Sequence, residues 1–416
     1  MSIFSATSSS LQSKEPLSTK DRACVIFIGV AAVVWLTWLS GWLGVKPGTV
    51  LTQRSNVLFS SDTGLWMLKM WGAPTYPDAT HLIHPLQIFF WSRPCRALGT
   101  VAGVFLPHLD AQVFGARLFV AMIAGTGIAF LAWLALRNGI RTVECLALFV
   151  MYFLFTSSAT ICLPEHFGIS NGLLTVAFVA PLLAANSRVR LFILGIMVVL
   201  IGGTTITNAI FPVLSMIQSG LKSARLRLGA LAVGSSIVLG AAYLASRHSA
   251  MFHKFIDTYM RWRFVQDPLA TGTYLFYFLV SPAIGPRPPV VPNWAGSMVS
   301  YEPLSLTFYF GIQALGAIAW AVLLCRCALE AYRWPSTRTA VKLLLGWLLF
   351  NCVLHNVWGD ELQLYAAHWS WALMALVVLG APRLSRAFVV TAALLVIVCQ
   401  IPTLLAIKRA VETILT

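Results

Sequence analysis

Residues 23–45 read ACVIFIGVAAVVWLTWLSGWLGV, twenty-three positions without a charge between Arg22 and Lys46. Crossing a bilayer takes roughly 20 predominantly apolar residues, and this stretch meets that length with no proline inside it. It is too long for the core of a cleaved signal peptide and lacks a small-x-small cleavage site. It therefore reads as an uncleaved signal anchor behind a polar tail, residues 1–22, whose Ser-rich start is expected to be disordered.

The rest of the chain has the same character. Of its 416 residues 58% are hydrophobic and only 10% charged, with a mean hydropathy of +0.79, whereas a soluble chain carries about 25% charged residues. A net charge of +15 would suggest nucleic acid in a soluble protein; in a polytopic one the excess Lys and Arg sits in loops that stay cytoplasmic, so no nucleic-acid partner is expected. The eight cysteines show no ligand-like spacing apart from Cys325-x-Cys327, and neither a disulfide framework nor a zinc site follows.

Applying the same length requirement along the chain places spans near 23–45, 115–136, 142–162, 167–186, 191–206, 207–220, 229–246, 304–325, 340–357, 362–381 and 387–407. The predicted fold class is an all-α polytopic membrane protein of about eleven crossings, one transmembrane catalytic unit over residues 23–416. Gly202-Gly203-Thr204-Thr205 and Asn208 split what would be one long run, so the fifth and sixth spans are either two short halves or a tilted span with a re-entrant segment. With the N-terminus inside, 16 of the 29 basic residues fall in short inner connections, among them Arg137, Arg141, Arg188, Arg190, Arg333, Arg383 and Arg386, while ten of the 14 acids lie outside. The basic bias sets the orientation and leaves the chemistry to the outer face.

Two outer segments, about 46–114 and 247–303, exceed a connector's length. In the first, Pro85 followed by Leu86, Ile88, Phe89, Phe90 and Trp91, with Arg93 and Arg96 beyond, predicts a short helix in the interface. In the second, Met251, Phe252, Phe255, Ile256, Tyr259 and Met260 recur at helical spacing opposite His253, Lys254, Asp257 and Arg261. Both helices are expected to roof the outer leaflet above a cavity.

Asp62, early in the first outer segment, is placed to act as a general base on an acceptor hydroxyl, or else to cap a following helix. His81 and His84, three apart, share a helix face and are either a phosphate or metal site or simply bonded to backbone and water. Glu165, at the edge of the third span, is an ionisable group at membrane depth and so a functional candidate, although from a span's end it also reaches water cheaply. Glu361, Tyr365 and His368 fall at i, i+4 and i+7, which predicts a polar stripe on one face of the tenth span, either a site facing the bundle interior or hydrogen bonds that join the helices. Lys69, Arg261 and Arg263 are cations for a lipid-linked phosphate or for phospholipid headgroups. No Walker loop, GxSxG or HExxH pattern is present.

This layout resembles the GT-C class of membrane glycosyltransferases, which includes the dolichyl-phosphate-mannose protein mannosyltransferases and the bacterial aminoarabinose transferase of lipid A. The resemblance rests on an inside N-terminus, one span, a long outer loop with the early Asp62 and the stretch His81-x-x-His84-Pro85-Leu86, many further spans, and the late Glu361-Leu-Gln-Leu-Tyr365-Ala-Ala-His368. It implies a polyprenyl-phosphate-linked sugar as donor, a glycan, lipid or protein acceptor, inversion at the anomeric carbon, no cofactor and no metal, in the bacterial inner membrane. It further implies Asp62 as base and Arg261, Arg263 and His84 at the leaving phosphate. Family members often carry a paired acidic motif in that loop, whereas Asp62 follows two serines and precedes Thr63, so the base is Asp62 alone or Asp62 together with Glu165. A transporter or flippase using Glu165, Glu361 and His368 as a proton relay is the reading of a different class; an acyltransferase or polymerase acting on lipid-linked glycans shares nearly every feature.

Overall fold

A computed structural model describes residues 17–53, 57–59, 61, 63, 66–67, 84, 90–184, 187–218, 268–293, 296–302, 304–309, 311–357 and 361–415. The expected span at 229–246, the amphipathic stretch at 251–261 and most of the tail lie outside them, as do Asp62, Lys69, His81, Arg261 and Arg263.

The helices are α1 (Thr19–Trp42), α2 (Ser92–Ala102), α3 (His108–Arg137), α4 (Thr142–Phe153), α5 (His166–Leu183), α6 (Ser187–Thr204), α7 (Ile210–Gln218), α8 (Pro268–Val280), α9 (Ile312–Arg333), α10 (Pro335–Val357), α11 (Ser370–Gly380) and α12 (Arg386–Leu415). Six of them, α1, α3, α5, α9, α10 and α12, are long and apolar enough to cross a membrane; counting the pair Leu362–His368 and Ser370–Arg383, bent by 51° at its break, as one span gives seven. The chain is a multi-pass helical membrane protein. Eleven crossings are finer than these spans support: α4 has 12 residues and α7 has nine.

α1 shows why such helices form. It is apolar all round, burying Cys24, Ile28, Ala32, Leu36 and Leu39 at helical spacing while Ile26, Phe27, Val30, Val34 and Trp38 stay exposed toward lipid. Ser18 caps it by accepting from the Asp21 N–H at 3.1 Å. Small residues allow close crossings: a Cβ on Gly172 of α5 would collide with the Ile123 carbonyl of α3, and one on Gly127 would lie 2.7 Å from the Gly172 Cα. α11 is buried along its whole length, packed against α9 and α10 at the centre of the bundle.

Two expectations need correction. The apolar run at 142–162 is not one helix; α4 stops at Phe153 because the chain unwinds to bond elsewhere. There the Ser157 N–H donates to the Pro282 carbonyl at 2.9 Å, and the Thr156 hydroxyl accepts from the Gly285 N–H at 2.6 Å and from the Gln400 amide at 2.7 Å. The second long segment is not all outer roof, since the apolar α8 lies within it and is tied into the bundle: Tyr274 donates to the Cys352 carbonyl at 2.9 Å, and the indoles of Trp369 and Trp320 donate to the carbonyls of Phe278 and Leu279, both at 3.0 Å. That segment also holds a small antiparallel hairpin, β1 (Val290–Asn293) with β2 (Gly296–Val299), in an otherwise helical membrane protein. In the first long segment an amphipathic helix occupies Ser92–Ala102, with Arg93 and Arg96 on its exposed side and Cys95 and Gly99 buried toward α3; the start expected at Pro85 lies outside the described residues. Burial pushes the Cys95 thiol up to about 12, with Arg96 pulling the other way. The predicted break near 202–208 is present: α6 ends at Thr204 and a 3-10 turn, Ile206–Ala209, leads into α7.

The helix ends sort into two sets. Arg386 reaches Glu144 at 2.9 Å, Arg383 lies over Trp334 at 4.9 Å, and Asn138 donates to the Val378 carbonyl at 3.0 Å, which gathers one basic end. The opposite end gathers Trp42 beneath Lys408, the β1-β2 hairpin, Glu165 and Glu361.

Candidate functional site

The site end is built on backbone pairing between the two long segments. The Phe59 N–H donates to the Val299 carbonyl and the Val299 N–H to the Val57 carbonyl, both at 2.8 Å, so residues 57–59 lie beside β2. Phe59 takes φ 51°, the left-handed region that bulky side chains rarely adopt; its buried ring lies 5.1 Å from that of Tyr301. Ser61 and Thr63, the chain neighbours of Asp62, are both buried. The Thr63 hydroxyl donates to Glu165 Oε1 at 2.5 Å.

Glu165 is 0% exposed and precedes α5 in extended conformation. Beyond it four buried histidines form a row. The ring of His84 lies 4.0 Å from His166, His166 lies 6.0 Å from His368, and His368 lies 6.0 Å from His355. Trp66 flanks the first two at 5.2 and 4.9 Å, and Tyr365 stacks on His355 at 4.4 Å. His84 Nδ1 donates to the Thr204 carbonyl at 2.5 Å, which assigns its proton to that nitrogen and turns Nε2 toward other work. The break after α6 makes that carbonyl available, and Trp91 holds the same turn by donating to the Thr204 hydroxyl at 2.9 Å. Among the described residues no three His, Cys, Asp or Glu side chains are grouped as metal ligands.

Glu361, 1% exposed, is the second buried carboxylate. It accepts from the Ser300 hydroxyl and from the Tyr301 N–H, the latter at 3.4 and 3.3 Å to its two oxygens. Burial drives the Tyr301 phenol well above its ordinary value, and Tyr277 and Glu361 beside it add to the rise; its hydroxyl donates to the Pro286 carbonyl at 3.1 Å.

The predicted stripe Glu361, Tyr365, His368 is not the face of one helix. Glu361 stands before a single turn, Leu362–Tyr365, a 3-10 turn follows over Ala366–His368, and α11 starts only at Ser370. Bonds from α10, α5 and the start of α11 hold this break open: the indoles of Trp347 and Trp371 both donate to the His368 carbonyl, at 3.0 and 2.8 Å, and Asn171 donates to the Ala367 carbonyl at 2.7 Å. Tyr365 and His368 still share a space, with ring centres 6.2 Å apart.

Of the residues singled out in the sequence, Glu165, His84, Glu361, Tyr365 and His368 therefore lie at one end of the bundle. Thr63, His166, Ser300 and His355 join them without having been selected. His166 and Thr63 stood next to the selected Glu165 and Asp62, His355 lay six residues before Glu361, and Ser300 carries no signal except its partner. Arg117 was also passed over: a guanidinium inside an apolar run is itself a sign of function or of a buried bond, and here it donates to the Thr37 carbonyl of α1.

A carboxylate against a hydroxyl, next in sequence to an imidazole in a row of imidazoles, assembles groups whose chemistry is hydrogen bonding and proton exchange. No protein-family model, curated protein or solved structure matches this chain.

Proposed function

We propose that the protein is a glycosyltransferase that moves a sugar from a polyprenyl-phosphate donor to an acceptor hydroxyl with inversion, at the site end of the bundle, which the basic bias of the opposite end turns away from the cytoplasm. One observation carries the reading: buried acids and imidazoles from segments hundreds of residues apart, Glu165, His84, His166, His368 and Glu361, gather at a single end of a membrane bundle. Inverting transfer needs a base at the acceptor hydroxyl and positive charge at the departing phosphate. In this reading Asp62 is the base, and Glu165 holds the adjacent Thr63 or shares the proton. His84, with Lys69, Arg261 and Arg263, meets the phosphate, while Glu361, Tyr365 and His368 shape the pocket.

A transporter or flippase is the second reading. It draws on the two interrupted helices, at Thr205 and Trp369, beside a row of proton-carrying rings. Purified protein given radiolabelled polyprenyl-phosphate sugars and a mixed acceptor separates the two. Labelled product formed by the wild type and abolished in Asp62→Asn supports transfer. Full activity in that variant removes Asp62 from the mechanism, and movement of label across a proteoliposome without product formation favours transport.

A further inference from the structure

Beneath the imidazole row the bundle buries polar atoms that have no hydrogen-bond partner among the described residues. Asn208, fully buried, uses neither Nδ2 nor Oδ1; Asn351, equally buried, donates Nδ2 to the Trp347 carbonyl at 2.9 Å and leaves Oδ1 open; His368 leaves both ring nitrogens open. A buried polar atom left dry costs about 1–3 kcal/mol, so several in one place mark a space filled by water or ligand.

Their positions converge. Trp347, one turn before Asn351 on α10, bonds the His368 carbonyl, and Phe211, three residues after Asn208, packs 5.3 Å from Trp347 and 5.0 Å from Trp371. One turn from these three aromatic rings toward the site end reaches Asn208 on one wall, Asn351 on a second and His368 on a third.

We infer that Asn208, Asn351 and His368 form the floor of a subsite for the hydroxyl groups of a neutral sugar. This rests on the glycosyl-transfer reading and names the part of the donor that enters deepest. An amide offers a donor beside an acceptor, and a neutral imidazole offers one of each. Hydroxyls also do both, so neighbouring hydroxyls on a sugar ring satisfy the set. A carboxylate or phosphate, which only accepts, would instead face the open Oδ1 atoms of both asparagines. Trp347 and Phe211 supply apolar surface for the C–H face of the ring, and the lipid phosphate stays above, at His84 and His166.

The test uses the full chain in lipid nanodiscs and equilibrium binding of two probes, a polyprenyl phosphate and the same lipid carrying a neutral hexose. Asn208→Leu and Asn351→Leu are each expected to weaken the hexose-bearing lipid about tenfold and to leave the bare lipid phosphate unchanged. If both lipids bind and neither variant alters their ratio, the subsite is overturned while the lipid-linked donor stands. If neither lipid binds the wild type, the transfer reading falls and the subsite with it. A lipid bearing a hexuronate that binds as tightly as the hexose form overturns the assignment to a neutral sugar. Should the leucine variants fail to yield monodisperse protein, Asn208→Ser and Asn351→Ser report the same ratio.

Discussion

Both ends of the bundle carry ion pairs that reach the surface, but among the described residues the fully enclosed carboxylates are at the site end. At the basic end Arg386, about half exposed (49%), reaches the less exposed Glu144 (12%) at 2.9 Å, and Arg333 reaches Glu330 at 3.1 Å; at the site end Lys408 reaches Glu412 at 3.0 Å. Exposed pairs of this kind contribute about 0–1 kcal/mol each and chiefly keep helix ends in register. At the site end Glu165 and Glu361 are sealed in the interior, where they accept from the hydroxyls of Thr63 and Ser300. Enclosing a carboxylate costs several kcal/mol before its bonds are counted. A protein that needed only to close its helix ends has the milder solution at the basic end, so the costlier one points to chemistry.

The largest effect that could break this contrast is catalytic. Glu165→Gln is expected to lower sugar transfer by about 10²–10⁴-fold, while Glu144→Gln leaves it within about twofold, the scale of a surface pair. Similar losses in both, measured on purified protein, would erase the distinction between the ends. Next comes the crossing that positions α5. Gly172→Ala drives a methyl against the Ile123 carbonyl and should destabilise by about 1–3 kcal/mol, whereas Gly346→Ala, whose Cβ meets open space, should be neutral or stabilising by up to about 1 kcal/mol. Thermal unfolding of the two variants decides between them.

A smaller effect concerns alkali. The Tyr301 phenol is raised in the folded protein, so the stability this neutral group contributes is present below its unfolded value of about 10 and fades as pH climbs from there toward the folded value. Tyr301→Phe should cost about 1 kcal/mol at neutral pH through the lost bond to Pro286 and should unfold less steeply above pH ~10; an unchanged alkaline limb in chemical unfolding counts against the assignment. Smallest of all, Arg386→Ala should shift unfolding by less than about 1 kcal/mol and lose even that at high salt.

Much of the scaffold was legible because lipid imposes a simple rule. The runs at 23–45, 115–136, 167–186, 304–325, 340–357 and 387–407 each overlap a long apolar helix, although the one expected at 304–325 lies eight residues further on, at Ile312–Arg333, and Gly202-Gly203-Thr204-Thr205 marks where α6 ends. What escaped the sequence was set by distant partners. Nothing local stops a helix at Phe153; carbonyls and amides from 282–285 do, through Thr156 and Ser157. The stretch from Glu361 to His368 holds the right residues for a site, yet helical periodicity assumes an unbroken helix, and the Trp347 indole and the Asn171 amide reward a break instead. Asn208 entered only as part of the predicted break, and neither it nor Asn351 was selected as a site, because an amide in an apolar run has no period; only their open buried polar atoms distinguish them.

The pairing of residues 57–59 with Val299 has a mechanical consequence. It works as a latch between parts of the chain some 240 positions apart, one leading to Thr63 and Glu165, the other to Ser300 and Glu361. Separating the two loops at this point requires both main-chain bonds to part.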